Sequence, residues 1–160
     1  MKITIEEAVS TFHIRKAVTK DAADIARLAG QLGYSASTQE IETRLVELDS
    51  QDHVTLFVAL CDQRVIGWIQ VMRVSHIMLA PYCEIGGLVI EEEQRSRGAG
   101  TKLMEKAEQW AREARLNSVW IRSNVTRLQA HEFYLARGYS LLKDQHVFKK
   151  DLIEDQSDPS

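Results

Sequence analysis

The chain has 160 residues, 44% hydrophobic and 27% charged, enough for one compact domain that buries roughly 70% of its unfolded surface without metal or disulfide support. That balance excludes a disordered acidic chain and a membrane-embedded one. A net charge of -3, from 20 basic and 23 acidic residues, removes any overall electrostatic case for binding nucleic acid or an anionic membrane.

Any phosphate site must therefore be local. Cys61 and Cys83 each sit alone in an apolar run, without the paired spacing of a zinc or redox motif, and are expected to be buried, reduced thiols. The first ten residues carry Glu6 and Glu7 and lack an apolar stretch of signal-peptide length. No uncharged apolar run approaches the roughly 18 residues of a membrane span, so a cytoplasmic protein is expected.

Phe12 and Ile14 alternate with polar neighbours as a first strand. Thr19 is placed to cap a helix whose Ile25, Leu28, Ala29 and Leu32 share one face, and Gly33 to end it. Ser37 and Glu40 form a capping-box pattern for a second helix, with Ile41, Leu45 and Leu48 as its buried stripe. Residues 54–60 and 65–72 are β-branched apolar runs around Asp62, Gln63 and Arg64, the pattern of an antiparallel hairpin. Residues 83–90 make a further strand. After a charged loop, Leu103, Met104, Ala107, Trp110, Ala111 and Ala114 recur at helical spacing.

Residues 119–123 read as a strand. Thr126 and Gln129 then repeat the capping-box pattern before a helix with Ala130, Phe133 and Tyr134 on its apolar side, which Gly138 terminates. Residues 140–142 and 146–149 suit a closing hairpin. The order βααβββαβαββ predicts an α/β fold with a mixed, mostly antiparallel sheet of about seven strands flanked by helices. A single domain over residues 1–153 and a flexible tail at 154–160 complete the expected organisation.

The segment from Gln94 to Thr101 joins a buried strand to an amphipathic helix, with small residues where a backbone would approach a ligand closely. Successive amides at a helix N-terminus, together with the helix dipole, favour a phosphate or pyrophosphate there. Arg95 and Arg97 strengthen that field, and the alternative is a tight strand-to-helix turn with two solvated arginines. Gly100-Thr101-Lys102 has neither the spacing nor the ending of a Walker loop. Leu103 stands where a dinucleotide fingerprint requires a third small residue.

Arg95-Ser96-Arg97-Gly98-Ala99-Gly100 resembles the Arg/Gln-x-x-Gly-x-Gly/Ala loop of the GCN5-related N-acetyltransferase (GNAT) family. Ala130-His131-Glu132-Phe133-Tyr134, followed by Arg137-Gly138-Tyr139, resembles a second segment of that family, and the likeness runs from Phe12 to Phe148. The resemblance implies a GNAT-like acyl-CoA fold with acetyl-CoA as co-substrate. Coenzyme A pyrophosphate would then lie on Arg95, Ser96, Arg97, Gly98, Ala99, Gly100 and Thr101. The strands at 83–90 and 119–123 would splay, and the pantetheine arm would enter the gap, pairing with free backbone groups of Leu88 and Ile90, with Val89 between them also in the cofactor site. Asn124 and Arg127 would complete the cofactor site, Arg127 standing where many members carry Asn, and Ala99 where many carry a larger side chain. The acids Glu91, Glu92 and Glu93 are expected to point to solvent, where salt screens them over about 8 Å.

Acyl transfer to an amine requires the uncharged base form, present in roughly one lysine-like molecule in 2,500 at pH 7. Glu84, fourteen positions before Gly98, resembles the catalytic glutamate of the histone-acetylating branch. Flanked by Cys83 and Ile85, it is partly desolvated and suited to take the proton directly or through water; otherwise it is a surface acid. The resemblance makes Tyr134 the hydroxyl that faces the departing thiolate, its structural alternative being core filler beside Phe133. A backbone N–H near Leu88 would stabilise the oxyanion.

Trp68, Trp110 and Trp120 are expected to pack in a core, and His131 to be a solvated helix residue. His13, His53, His76, His131 and His146 are scattered without metal spacing, so no metal is predicted. Cys83 carries no sign of nucleophile activation, which favours direct transfer in a ternary complex.

The expected acceptor is the primary amine of a small molecule. Glu40, Glu42, Glu47, Asp49 and Asp52 make the second helix region acidic, which suits either a cationic acceptor or an ordinary solvated face. Two rivals stand beside this reading. A protein lysine or N-terminal acetyltransferase would modify peptides and not polyamines or aminoglycosides, and a non-catalytic acyl-CoA sensor would bind the thioester without turnover. A homodimer is compatible with all three, and none calls for nucleic acid or a membrane.

Overall fold

The computed structural model describes residues 11–153, so the readings of the first ten residues and of a tail at 154–160 lie outside it. The described residues form β1 (His13–Lys16), α1 (Ala22–Gln31), α2 (Thr38–Asp49), β2 (Val54–Cys61), β3 (Arg64–Val74), β4 (Tyr82–Ile90), α3 (Ala99–Glu113), β5 (Val119–Ile121) and α4 (Leu128–Ala136). A division into two compact units falls between Arg122 and Ser123.

In the first unit the strands lie in the order β1-β2-β3-β4-β5, antiparallel except for the parallel β4–β5 pair. Alternation along the strands sends Leu56, Val58 and Val65 toward Ile25 and Leu28 of α1 and Ile41 and Leu45 of α2. On the other face, α3 brings Lys106 over the Phe57 ring at 5.3 Å and Leu103 against Gly67. The sheet is thus covered on both sides, and its central strands read as apolar runs for that reason.

Gly67 is a point of close approach. A Cβ there would sit 2.6 Å from Ile90 Cδ1 and 2.8 Å from the Val89 carbonyl oxygen, and the latter is backbone that cannot swing aside. Gly67→Ala is expected to destabilise by about 1–3 kcal/mol, a midpoint fall of roughly 3–10 °C in thermal denaturation.

Several local expectations are corrected. Thr19 does not cap the first helix: Thr19–Asp21 is a 3-10 turn, α1 starts after Asp21 without a side-chain cap, and Asp21 Oδ2 instead accepts the Val18 N–H at 2.9 Å. A carboxylate is the stronger acceptor, and Arg15 holds this one in place with bonds of 2.7 and 2.9 Å. The Ser37–Glu40 box forms as expected, at 3.1 and 2.7 Å. The box at Thr126 and Gln129 does not form: α4 has Arg127 at its N-cap without a side-chain cap, because Asn124 Oδ1 takes both the amide and the hydroxyl of Thr126.

The sheet has five strands rather than about seven. Residues 140–150 contain no strand, and Leu141, Leu142, Val147 and Phe148 are exposed. A two-stranded hairpin without a sheet neighbour is marginal in water, so two short apolar runs do not close on themselves.

Candidate active site

The local departure that builds the site is in β4. Gln70 pairs with Gly87 but Val71 pairs with Ile85, which leaves Gly86 as an extra residue, a β-bulge. Pairing with β5 covers only Cys83, Glu84 and Ile85 and stops at this bulge. Beyond it β4 continues against β3 alone.

The Glu91 N–H bonds the Ile66 carbonyl at 2.7 Å, and since bonded pairs alternate, Val89 and Gly87 also direct their backbone groups to β3. Leu88 and Ile90 therefore face the opposite, open side. On that side Arg95 Nε reaches the Ile90 carbonyl at 3.4 Å. Leu88 and Ile90 thus direct backbone groups to the side of β4 that β5 does not pair, whereas Val89 directs its own to β3.

The strand then enters the glycine loop. Ser96 and Gly98 have φ of +65° and +97°, so the chain reverses through two left-handed residues before α3 starts at Ala99. Gly98 is the N-cap and offers no side-chain acceptor, so α3 opens without a side-chain cap and with no acid in its first turn. That end of a 15-residue helix is suited to an anion, as α2 with its serine and glutamate cap is not. Arg95, Ser96, Arg97 and Gly98 are exposed, Ala99 is buried beneath them, and Gln94 Oε1 holds Arg97 Nη1 at 3.0 Å. A pyrophosphate fits this donor set.

Glu91 departs from expectation. It is buried, not solvated, and its Oε1 accepts from Arg27 Nη1 at 2.7 Å and Arg64 Nη2 at 2.6 Å. Two arginines neutralise the acid next to the anion loop, while Glu92 and Glu93 are exposed as expected.

Glu84 is largely covered, and Arg122 Nε donates to its Oε1 at 2.7 Å. That bond is the main reason the Arg122 guanidinium is raised above its ordinary value; Tyr82 adds to it. Tyr82 in turn stacks between His76 and Trp120, with centroids 5.8 and 4.5 Å away. The sequence reading missed Arg122. Its position just after the strand paired with the Glu84 strand was the available signal.

Cys83 is fully buried, and desolvation pushes its thiol up to about 11. It stays protonated at neutral pH and has no nucleophilic character.

In the second unit, Tyr134 is buried and its phenol is raised by desolvation, with the Arg127 charge opposing. It is therefore fully protonated at neutral pH and able to donate. The Tyr134 ring meets Phe133 and Tyr139 edge-on. His131 is not simply solvated, because its Nε2 lies 3.0 Å from the Asn124 carbonyl and secures the turn that Asn124 begins. Arg127 is exposed, and its carbonyl accepts the His131 N–H. Among the described residues no group of histidine, cysteine and acidic side chains is placed to hold a metal, and no helix is long and apolar enough to cross a membrane.

The acetyltransferase (GNAT) family model matches residues 21–139. An aminoalkylphosphonate N-acetyltransferase of Salmonella typhimurium is 30% identical over 140 residues, covering 84% of this chain and 88% of that protein. Glucosamine-6-phosphate N-acetyltransferase of Arabidopsis thaliana has the same fold, with a TM-score of 0.78 at 22% identity over 88% of this chain and 99% of that one. So does an aminoglycoside 6'-N-acetyltransferase of Acinetobacter haemolyticus, with a TM-score of 0.76 at 17% identity over 88% and 99%. The bulged strand, the uncapped helix end and these likenesses lead to one conclusion: the chain belongs to the GNAT acetyltransferase family and is an acetyl-CoA-dependent N-acetyltransferase.

Proposed function

We propose that the enzyme acetylates the primary amine of a small molecule by direct attack within a ternary complex. The observation that carries this reading is the open side of β4 after Gly86, where Leu88 and Ile90 offer backbone groups to an extended ligand. Acetyl-CoA supplies an activated carbonyl and a thiol leaving group. Arg95, Ser96, Arg97 and the amides of Gly98, Ala99, Gly100 and Thr101 hold its pyrophosphate, with Asn124 and Arg127 contributing from the turn before α4. Leu88, Val89 and Ile90 line the arm, and the Leu88 N–H stabilises the oxyanion.

Glu84 takes the proton from the amine as its nitrogen bonds to the carbonyl carbon. The carbon–sulfur bond then breaks, and Tyr134 protonates the departing sulfur. The protonated, buried Cys83 thiol supports direct transfer over an acyl-cysteine route. Two free thiols also suit the cytoplasm.

The acceptor is an aminoalkyl compound that also carries an acidic group. The relative from Salmonella acts on aminoalkylphosphonates, and the Glu84–Arg122 pair beside the bulge sets a carboxylate for an amine next to a half-exposed guanidinium for an acid. The acidic face of α2 speaks less for a cationic acceptor than its composition suggests. Glu40 caps its own helix and Asp49 pairs with Lys16 at 2.7 Å.

Heating with acetyl-CoA at 100-fold excess over Kd should add about 2.7 kcal/mol, a midpoint rise of roughly 5–10 °C, and Gly98→Val should shrink that rise. No rise would remove the anion cradle. A thiol-release screen should favour aminoalkylphosphonates; turnover of peptides alone would make the enzyme a protein acetyltransferase, and binding without any turnover a sensor. Tyr134→Phe should lower kcat by about 10²-fold with the KM for acetyl-CoA nearly unchanged. Unaltered turnover would mean that the sulfur finds its proton elsewhere.

A further inference from the structure

We propose that Tyr82 and His76 are positioning residues, which hold the Arg122 guanidinium in the orientation that receives the acidic group of the acceptor. The proposal rests on the reading of the acceptor as an aminoalkyl compound with an acid, and names what lets Arg122 select one.

Alternation puts the residues concerned on one face of the sheet. Tyr82 and Glu84 stand two apart on β4, and Trp120 and Arg122 two apart along β5 and its exit. Glu84 and Trp120 are partners across the parallel ladder, so the four side chains share that face.

Arg122 needs holding. Its side chain is 54% exposed, and one bond from Nε to Glu84 fixes an atom but not the plane of the guanidinium. Exposed ion pairs on long side chains are weak because ordering the chain offsets most of the attraction. A second bond, to a fixed point, defines the plane, and the Tyr82 hydroxyl supplies it.

Tyr82 is such a fixed point. It is 2% exposed, and its ring lies between His76, at an interplanar angle of 11°, and Trp120, at 22°. Trp120 is itself held, since its Nε1 donates to Ser118 Oγ at 3.2 Å. A buried phenol needs a partner for its own proton. His76 Nε2, 3.3 Å from the Tyr82 oxygen, accepts it in the tautomer protonated at Nδ1, and the phenol then presents its lone pairs to the guanidinium. His76, Tyr82, Arg122 and Glu84 thus form one hydrogen-bonded row. Loosening Arg122 leaves Glu84 in place as base, so the loss should fall on acceptors that carry an acid and spare those that do not.

Tyr82→Phe keeps the ring and both stacks and removes only the hydroxyl. At saturating acetyl-CoA, kcat/KM for 2-aminoethylphosphonate should fall about 10-fold, through KM, while that for n-propylamine, an amine without an acid, stays within about 2-fold of wild type. His76→Phe, at an exposed position, should give the same selective loss at about 3-fold. Adding Tyr82→Phe to Arg122→Met should change the ratio of the two acceptors no further, because the hydroxyl acts through the guanidinium. The midpoint rise with acetyl-CoA should persist in every variant. An unchanged ratio in Tyr82→Phe or His76→Phe overturns the proposal, whether both acceptors keep their rates or lose them equally. So does a further fall of the ratio in the double variant. A wild type that does not prefer the phosphonate to propylamine fails earlier, at the acceptor reading itself, and takes this proposal with it.

Discussion

Replacing Glu84 by Gln is expected to lower kcat by about 10²- to 10⁴-fold while acetyl-CoA still raises the melting midpoint. The amide has the same size and can still accept from Arg122 Nε, which now lies 2.7 Å from the carboxylate, so the geometry persists and only the proton acceptor is lost. The amine then loses its proton to water alone, and only its small neutral fraction reacts. Initial rates of both forms at saturating acetyl-CoA decide the matter, and a variant as fast as the wild type would assign the base to another group.

Asp21→Ala is expected to cost about 2–4 kcal/mol at neutral pH, a midpoint fall of roughly 5–15 °C. Asp21 is 4% exposed, and its carboxylate takes two bonds from Arg15 and one from the Val18 amide. Burial alone would raise its proton affinity, but the Arg15 bonds, the Val18 N–H and the nearby positive charges outweigh burial, so the group titrates below its ordinary value. A carboxyl depressed in this way contributes stability above its unfolded pKa, near 3.9, and loses it as pH falls through the lower folded value. Wild type and variant should therefore differ most at neutral pH and converge below about pH 4. Denaturation midpoints at pH 7 and pH 3 test this, and an equal gap at both would mean that Arg15 and Asp21 contribute packing rather than charge.

The loop around Gly98 was legible because its requirement is local: two left-handed residues and a helix start fit in six positions. The Ser37–Glu40 cap was legible for the same reason, its bonds spanning three residues. Arg122 was not, since its partner Glu84 is 38 residues away and they meet only through β4–β5 pairing. Glu91 was misread as solvated because Arg27 and Arg64, its neutralising partners, come from α1 and the start of β3. The closing hairpin does not form: its two short apolar runs suit strands, but a strand forms only where a neighbour exists.

The sequence by itself determined the helices, the five strands of the sheet and the glycine turn before α3, because hydrophobic period and backbone conformation act over a few residues. Tertiary structure alone decided where β4 parts from β5 and which acids lose their water. Those outcomes depend on register and on charges brought together from distant positions, and a one-residue bulge at Gly86 redirects every backbone group beyond it.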